Sequence, residues 1–167
     1  GMAQARGHIA SLDDPAEKIP LKRASAIGLG RIARIEDVSA VSTLFQVLHN
    51  EKEPLTRHFA AVTLGGLADA AIAGELRKLF AKCDDADRPF LALALGVAGD
   101  AEAAPLIRKA LSTERNESLR GAYSIARGLL PDHGAREVLE AQVADRGAIW
   151  PQGYAAVAIG MARIAES

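Results

Sequence analysis

The sequence repeats one pattern of residues at an interval typical of stacked helical repeats. In residues 88–100 (RPFLALALGVAGD), Arg88 lies eight residues before Gly96, and Asp100 lies four residues after it. The same spacing returns at 57–69 and 120–132, and less complete copies begin at Lys22 and Gln152. Successive glycines are separated by 35, 31, 32 and 32 residues. Self-similarity at a period of about 20–50 residues indicates a solenoid of stacked repeats. These glycines are Gly30, Gly65, Gly96, Gly128 and Gly160.

Each repeat divides into two predicted helices joined by a short turn. Proline is well suited to a first helical turn, where its missing N–H would have no partner anyway, and it begins several of the first helices. The first helices are predicted over 20–34, 54–68, 88–99, 118–130 and 151–165, and the second helices over 37–50, 70–83, 101–113 and 133–145. Because no stretch alternates apolar and polar residues long enough to form a strand, the sequence predicts an all-α fold.

An aspartate is predicted to cap each second helix. It stands in the turn within the repeat, where the free N–H groups of the helix need an acceptor and a negative charge suits the helix dipole. These residues are Asp37, Asp69, Asp100 and Asp132. Asp87 is predicted to cap a first helix in the same way, rather than to form a metal site with Asp84 and Asp85.

The recurring glycine predicts close contact between neighbouring first helices. Glycine inside a helix costs about 1 kcal/mol relative to alanine, so its return at one position indicates that a side chain would not fit there. On the second helices, apolar residues seven and eleven positions after the capping aspartate form one stripe, which is predicted to be buried. The stripe consists of Leu44, Leu48, Leu76, Phe80, Ile107, Leu111, Leu139 and Val143.

This combination of a basic residue, small and aliphatic residues, Leu-Gly, Asp and an apolar second helix resembles the short HEAT-like repeats, which also occur in the phycobilin lyase family. The resemblance covers residues 20–165 and implies a right-handed α-α superhelix (solenoid) of about four and a half HEAT-like helical hairpins. Residues 1–19 are then an N-terminal leader or frayed helix, and 20–167 form the repeat domain. Two departures are three extra residues between Gly30 and Asp37, and Arg127 in place of the apolar residue before Gly128.

The last predicted helix has no second helix after it. Residues 152–164 (QGYAAVAIGMARI) are apolar on more than one face, whereas the end of a solenoid needs a polar cap. Two explanations stay open: the sequence is part of a longer array, or a second copy forms a homodimer through this C-terminal helix.

Composition argues against several classes of function. The chain has 20 basic and 21 acidic residues and a formal net charge of −1, so no overall positive field attracts nucleic acid or an anionic membrane. Its longest apolar run, residues 90–99, is about half the length that spans a bilayer. The single cysteine, Cys83, forms no internal disulfide, which is compatible with the reducing cytoplasm.

No motif for catalysis or metal binding occurs in the sequence. It lacks the Gly-x-Ser-x-Gly elbow and the Gly-rich phosphate loop. The HEAT-like enzyme deoxyhypusine hydroxylase binds two iron ions through His-Glu pairs, but the four histidines of this chain are followed by Ile, Asn, Phe and Gly. We therefore expect no enzymatic activity and no cofactor. His58, early in a first helix, is expected to be a partly buried surface residue.

Five cations on the two middle second helices form the candidate binding site. Arg77, Lys78, Arg108 and Lys109 stand eight and nine residues after the capping aspartates, Lys82 extends the group, and the outer repeats carry no cation at these positions. In HEAT-like solenoids the second helices line the concave surface. We hypothesise that the five cations bind an acidic segment of a partner protein; the alternative is a solvated helix face.

The recurring basic residue that precedes each glycine has a simpler interpretation. It returns together with the glycine and the aspartate of the fold pattern, so we expect it to take part in packing between repeats rather than in ligand binding. These residues are Lys22, Arg57, Arg88 and Arg120.

Three functions are compatible with the sequence. The first is a non-catalytic scaffold, or a module of a larger protein, that binds another protein on its concave face. The second, implied by the resemblance alone, is a bilin lyase or chaperone-like subunit acting on a phycobiliprotein. The third is nucleic-acid binding, as in the HEAT-like alkylpurine DNA glycosylases. Those proteins use a strongly basic, aromatic-containing face, and the net charge of −1 and the aromatic content of 4% argue against it.

Overall fold

Helices account for all the regular secondary structure in the described part of the chain. The computed structural model describes residues 2–14, 18–130 and 140, and no strand occurs among them. The helices are α1 (Met2–Asp13), α2 (Ile19–Ile32), α3 (Val38–Asn50), α4 (Pro54–Gly66), α5 (Ala70–Lys82), α6 (Arg88–Val97), α7 (Ala104–Thr113) and α8 (Glu117–Leu129). The all-α prediction is therefore confirmed. The helices predicted over 133–145 and 151–165 lie outside the described residues.

The helices stack as successive repeats. The first helices form one layer, in which α2 packs against α4, α4 against α6, and α6 against α8. Each second helix packs against the first helix that follows it, so α3 contacts α4, α5 contacts α6, and α7 contacts α8. Because each repeat is linked mainly to its neighbours, the architecture is that of a helical repeat solenoid.

The glycines bring the first helices into backbone contact. A Cβ atom built on Gly65 would lie 2.8 Å from the carbonyl carbon of Ala94, and one built on Gly96 would lie 3.0 Å from the Cα atom of Ala126. Both distances are shorter than protein Cβ atoms normally show. The prediction that a side chain would not fit between these helices is confirmed at both positions.

Where α2 packs against α4, the glycine occupies the same position as in the other junctions, but it contacts a side chain of the next helix instead of its backbone. A Cβ atom on Gly30 would lie 2.8 Å from Oγ1 of Thr63. The Thr63 hydroxyl donates a hydrogen bond of 3.0 Å to the carbonyl oxygen of Ala26. In all three junctions the glycine faces the residue two positions before the glycine of the next repeat. This regularity indicates that one packing geometry is repeated along the layer.

The buried positions of each repeat match the predicted stripe. Leu44, Leu76 and Ile107 are fully buried, Phe80 and Leu111 nearly so, and Leu48 partly so, while Leu139 and Val143 lie outside the described residues. The residue before each repeat glycine in the described part of the chain is buried as well. Arg127 occupies this position in α8 and is only 1% exposed, so the position stays internal even where its residue is charged.

Residues 2–13 form α1, which packs against both α2 and α3. Leu12 is buried in the core, and Ile9 packs against it. The ring of His8 lies over Gly28, where an added Cβ atom would meet its Nε2 atom at 2.6 Å. Because α1 contacts both helices of the first repeat, it covers the side of that repeat opposite to α4.

Capping of the second helices agrees with the sequence at one described position and differs at two. Asp69 caps α5, accepting hydrogen bonds of 2.9 and 3.0 Å from two backbone N–H groups of its first turn. The carboxylate of Asp37 instead accepts from the N–H of Arg34 in the preceding turn, and that of Asp100 faces Arg77. The capping predictions for Asp37 and Asp100 were wrong because other donors compete for these carboxylates. Asp132 lies outside the described residues.

The second helix of the third repeat starts later than predicted. Pro105 has no N–H and is unable to donate to the carbonyl of Ala101, so the chain forms a 3₁₀ turn over Ala101–Ala103 before α7 begins at Ala104. The remaining helices end within two residues of their predicted limits.

Candidate protein-interaction surface

The second helices α3, α5 and α7 bury one stripe and expose the opposite side, which we call the second-helix face. Lys78 and Lys109 occupy the same position of α5 and α7, two residues after a fully buried residue, and both side chains are exposed. Arg108 and Lys82 are exposed as well. We refer to these four residues, Lys78, Lys82, Arg108 and Lys109, as the cation patch.

Arg77, the fifth cation of the predicted site, has a structural role instead. Its Nε atom lies 2.8 Å from Oδ2 of Asp100, and its Nη1 atom pairs with Glu102. The Nε–H bond does not point at the Asp100 oxygen, so that contact is an ion pair rather than a hydrogen bond. The two contacts tie α5 to the turn that leads into α7.

Glu75 also lies on the second-helix face, and its carboxylate accepts a hydrogen bond of 2.7 Å from Nζ of Lys78. This hydrogen bond and the charge of Lys78 lower the pKa of Glu75, and the charges of His49 and Lys82 lower it further. Because His49 belongs to α3 and Lys82 to α5, these groups share one electrostatic environment.

The other three members of the cation patch form no ion pair within residues 2–14 and 18–130. No carboxylate in residues 2–14 or 18–130 lies within ion-pair distance of Lys82, Arg108 or Lys109. The exposed residue between Lys78 and Lys82 on α5 is small, because it is alanine, Ala81. A partner can therefore approach α5 closely while it contacts the flanking ammonium groups.

The recurring basic residue of each repeat contacts the turns between repeats. Lys22 and Arg57 form ion pairs of 2.9 Å with acidic residues in a later turn. Arg88 donates a hydrogen bond to the carbonyl of Cys83 in the turn before its own helix, and Arg120 donates to the carbonyls of Leu111, in the last turn of α7, and of Glu114, just after it. These four side chains thus belong to the packing between repeats.

Ion pairs across one repeat were not recognised from the sequence. Arg23 binds Glu53 with both an Nε and an Nη2 contact, and Arg57 binds Asp87 in the same two-pronged way. Each pair is 30 residues apart, close to the repeat interval. The available signal was a pair of opposite charges one repeat apart, which becomes visible when neighbouring repeats are compared with each other.

The contacts of Asp87 differ from the helix cap that the sequence predicts. Its carboxylate makes no capping hydrogen bond to α6 and instead binds Arg57 and His58 of the preceding repeat. The prediction that Asp87 caps a helix was wrong, because a two-pronged guanidinium contact is stronger than a neutral backbone hydrogen bond. Burial raises the pKa of Asp87, but the hydrogen bonds from Arg57 and His58 outweigh it and leave the pKa below its ordinary value.

His58 is more deeply buried than the sequence indicated. Its side chain stacks on Phe90 of α6 with ring centroids 3.6 Å apart, and Nε2 lies 2.8 Å from Oδ1 of Asp87. Burial lowers the pKa of His58, and the opposing effect of Asp87 does not compensate for it. The neutral ring therefore donates its Nε2–H to Asp87 and helps to join α4 to α6.

Neither a metal-binding cluster nor an activated thiol is found among the described residues. Within residues 2–14 and 18–130, no group of three or more His, Cys, Asp or Glu side chains is placed to hold a metal ion. Burial raises the pKa of the Cys83 thiol more than the charge of Arg88 lowers it, so the reactive thiolate is disfavoured.

No protein-family model matches the chain, and no protein of curated function shows significant sequence similarity to it. None of the helices in the described part of the chain combines the length and the apolar character needed to cross a bilayer. The fold and the geometry of the second-helix face are therefore the basis for a functional proposal.

Proposed function

We propose that the chain is a HEAT-like, non-catalytic scaffold or module that binds another protein on its second-helix face. The observation that carries this proposal is the arrangement of α3, α5 and α7, which bury one stripe each and leave the other side to solvent. Solenoids commonly use such an extended surface for binding. We also propose a cytoplasmic location, for which the single free cysteine is the support.

The ion pairs within the chain distinguish two groups of cations. The cations at the turns between repeats are engaged in packing, so they have a role in the folded chain itself. The cation patch is solvent-facing, and three of its members have no acidic partner among the described residues. A surface whose charges do not serve the fold is available for a partner.

Site-specific photo-crosslinking tests the proposal. A photoreactive amino acid would replace Ser112, which is exposed on α7, or Ala24, which is exposed on the first helix α2. Both proteins would be expressed in the source organism and irradiated, and crosslinked proteins would be identified by mass spectrometry. We expect a defined partner from the Ser112 position and none from Ala24. Equal labelling from both positions, or no protein crosslinked from Ser112, would contradict the proposal.

A further inference from the structure

We propose that the partner presents an acidic peptide segment, which binds across α5 and α7 at Lys78, Lys82, Arg108 and Lys109. This inference rests on the proposed function and specifies the chemistry of the partner. It depends on the charge and the placement of the cation patch.

Among residues 2–14 and 18–130, the cations of the second-helix face outnumber the carboxylates that pair with them. Glu102 pairs with Arg77, so it is already engaged, and Glu75 pairs with only one cation of the patch. Lys82, Arg108 and Lys109 have no carboxylate within ion-pair distance among residues 2–14 and 18–130. An acidic segment supplies the missing negative charge, and such complementarity steers association and fixes orientation.

The placement of the patch fits a segment that crosses the helices. Lys78 and Lys109 occupy the same position of successive second helices, one repeat apart. Arg77 on α5 forms ion pairs with Asp100 and Glu102, which lie in the turn that leads into α7, so the patch cations of α5 and α7 stand on neighbouring repeats that are linked at this point. Leu106 is 38% exposed and lies one turn before Lys109, so it offers an apolar contact beside the charges.

An acidic peptide fits this surface better than a nucleic acid does. Proteins that bind single strands combine a basic groove with aromatic side chains on which bases stack. No aromatic side chain of α5 or α7 is exposed, because their one aromatic residue, Phe80, is buried. The formal net charge of −1 also opposes the attraction of a long polyanion.

Fluorescence polarisation with a defined probe tests the inference. The probe is a labelled peptide of alternating glutamate and serine, and its control has glutamine in place of glutamate. We expect the full chain to bind only the glutamate peptide and Arg108→Glu/Lys109→Glu to bind it at least about tenfold more weakly. The matched control, Arg31→Glu/Arg115→Glu, makes the same charge change at exposed positions outside α5 and α7 and should bind within about twofold of the original chain.

A second variant changes affinity in the opposite direction. Glu75→Gln removes the negative charge beside Lys78, so we expect tighter binding of the glutamate peptide, by about two- to threefold. Loss of folded protein would not produce this increase, so this variant keeps the test decisive if the double reversal unfolds the chain.

The outcomes separate the inference from the proposed function. Three results would each overturn the inference. The first is an equal loss of affinity in Arg108→Glu/Lys109→Glu and in the control Arg31→Glu/Arg115→Glu. The others are unchanged or weaker peptide binding by Glu75→Gln, and tighter binding of a single-stranded oligonucleotide than of the glutamate peptide. If Ser112 still crosslinks a protein while the glutamate peptide does not bind, the acidic chemistry is wrong and the proposed function stands. If both experiments are negative, both proposals are wrong.

Discussion

Arg57 binds Asp87 through two contacts, Nε to Oδ2 at 3.0 Å and Nη2 to Oδ1 at 2.9 Å, although the two residues are 30 positions apart. The third nitrogen of the same guanidinium group donates to the carbonyl oxygens of Glu51 and Lys52. One side chain therefore connects two successive turns between repeats. Because it is only 16% exposed, water screens these contacts less than it would at the surface.

Replacing Arg57 by lysine should separate the contribution of the two-pronged contact to stability from that of the positive charge. Arg57→Lys keeps the positive charge but loses the two-pronged contact, and we expect it to lower the free energy of unfolding by about 1–3 kcal/mol. Arg31→Lys, at an exposed position of α2, is the control and should change it by less than about 0.5 kcal/mol. Urea denaturation measures both. Equal stabilities of the two variants would mean that the Asp87 contact contributes nothing.

His58 should make stability depend on pH. Its pKa in the folded chain is lowered from 6.5 by burial, so the unfolded chain takes up a proton first as the pH falls. The contribution of His58 to the free energy of unfolding is therefore fully present above the pKa that the residue has in the unfolded chain. It is lost as the pH falls below that value, by at most about 1.4 kcal/mol per pH unit. The groups that face His58 are Asp87, Arg57 and Glu53. Asp87 has a lowered pKa and loses its contribution in the same direction, at lower pH.

Substitution of His58 measures this contribution. His58→Gln keeps a hydrogen-bond donor for Asp87 but does not titrate, so we expect a smaller loss of stability between about pH 7 and about pH 5 than in the original chain. His49→Gln, at an exposed position of α3, is the matched control and should retain the original slope. Urea denaturation at each pH gives the comparison, and parallel curves for all three proteins would rule out the proposed linkage.

Glu53 should contribute to stability through both a cap and an ion pair. Its carboxylate accepts from two backbone N–H groups of α4 and from Arg23 and the Thr56 hydroxyl. The hydrogen bond from Arg23 is the largest effect that lowers its pKa, to about 2. Its contribution is present above the unfolded pKa of 4.5 and is lost as the pH falls toward about 2.

Neutral substitutions separate the ion pair from the cap. We expect Glu53→Gln to lower the free energy of unfolding by about 1–2 kcal/mol near neutral pH and to reduce the sensitivity to acid. Asp69→Asn is the control, because Asp69 caps α5 through backbone N–H groups and asparagine caps about as well as aspartate. Chemical denaturation of both variants tests this, and a loss as large in Asp69→Asn would contradict a special role for the Arg23 pair.

The repeat architecture could be predicted because it depends on short-range patterns. The spacing of Gly65 and Gly96, and of apolar residues such as Leu76, determines which face of each helix is buried, and sequence displays that spacing directly. Capping was less predictable. Asp69 forms no ion pair with a cation of the described residues and caps as expected, whereas the carboxylates of Asp87 and Asp100 are bound by arginines from other elements.

The candidate surface was predictable in part. Helical periodicity was sufficient to expect that Lys78 and Lys109 are exposed, because both lie two residues after the buried stripe. The structural role of Arg77 was not predictable, because its partners Asp100 and Glu102 come from the next repeat, 23 and 25 residues later. Contacts of that kind depend on the relative placement of helices, which periodicity alone does not specify.

The free energy of unfolding of Gly65→Ala, compared with that of Gly74→Ala, tests the packing of the solenoid most directly. Alanine at Gly65 would collide with the main chain of Ala94, whereas alanine at Gly74 would meet only the end of the Arg77 side chain, at 3.8 Å. We expect Gly65→Ala to be less stable by about 2–3 kcal/mol and Gly74→Ala to be more stable by about 0.5–1 kcal/mol. Stabilisation of both variants to a similar degree would contradict backbone contact between the first helices.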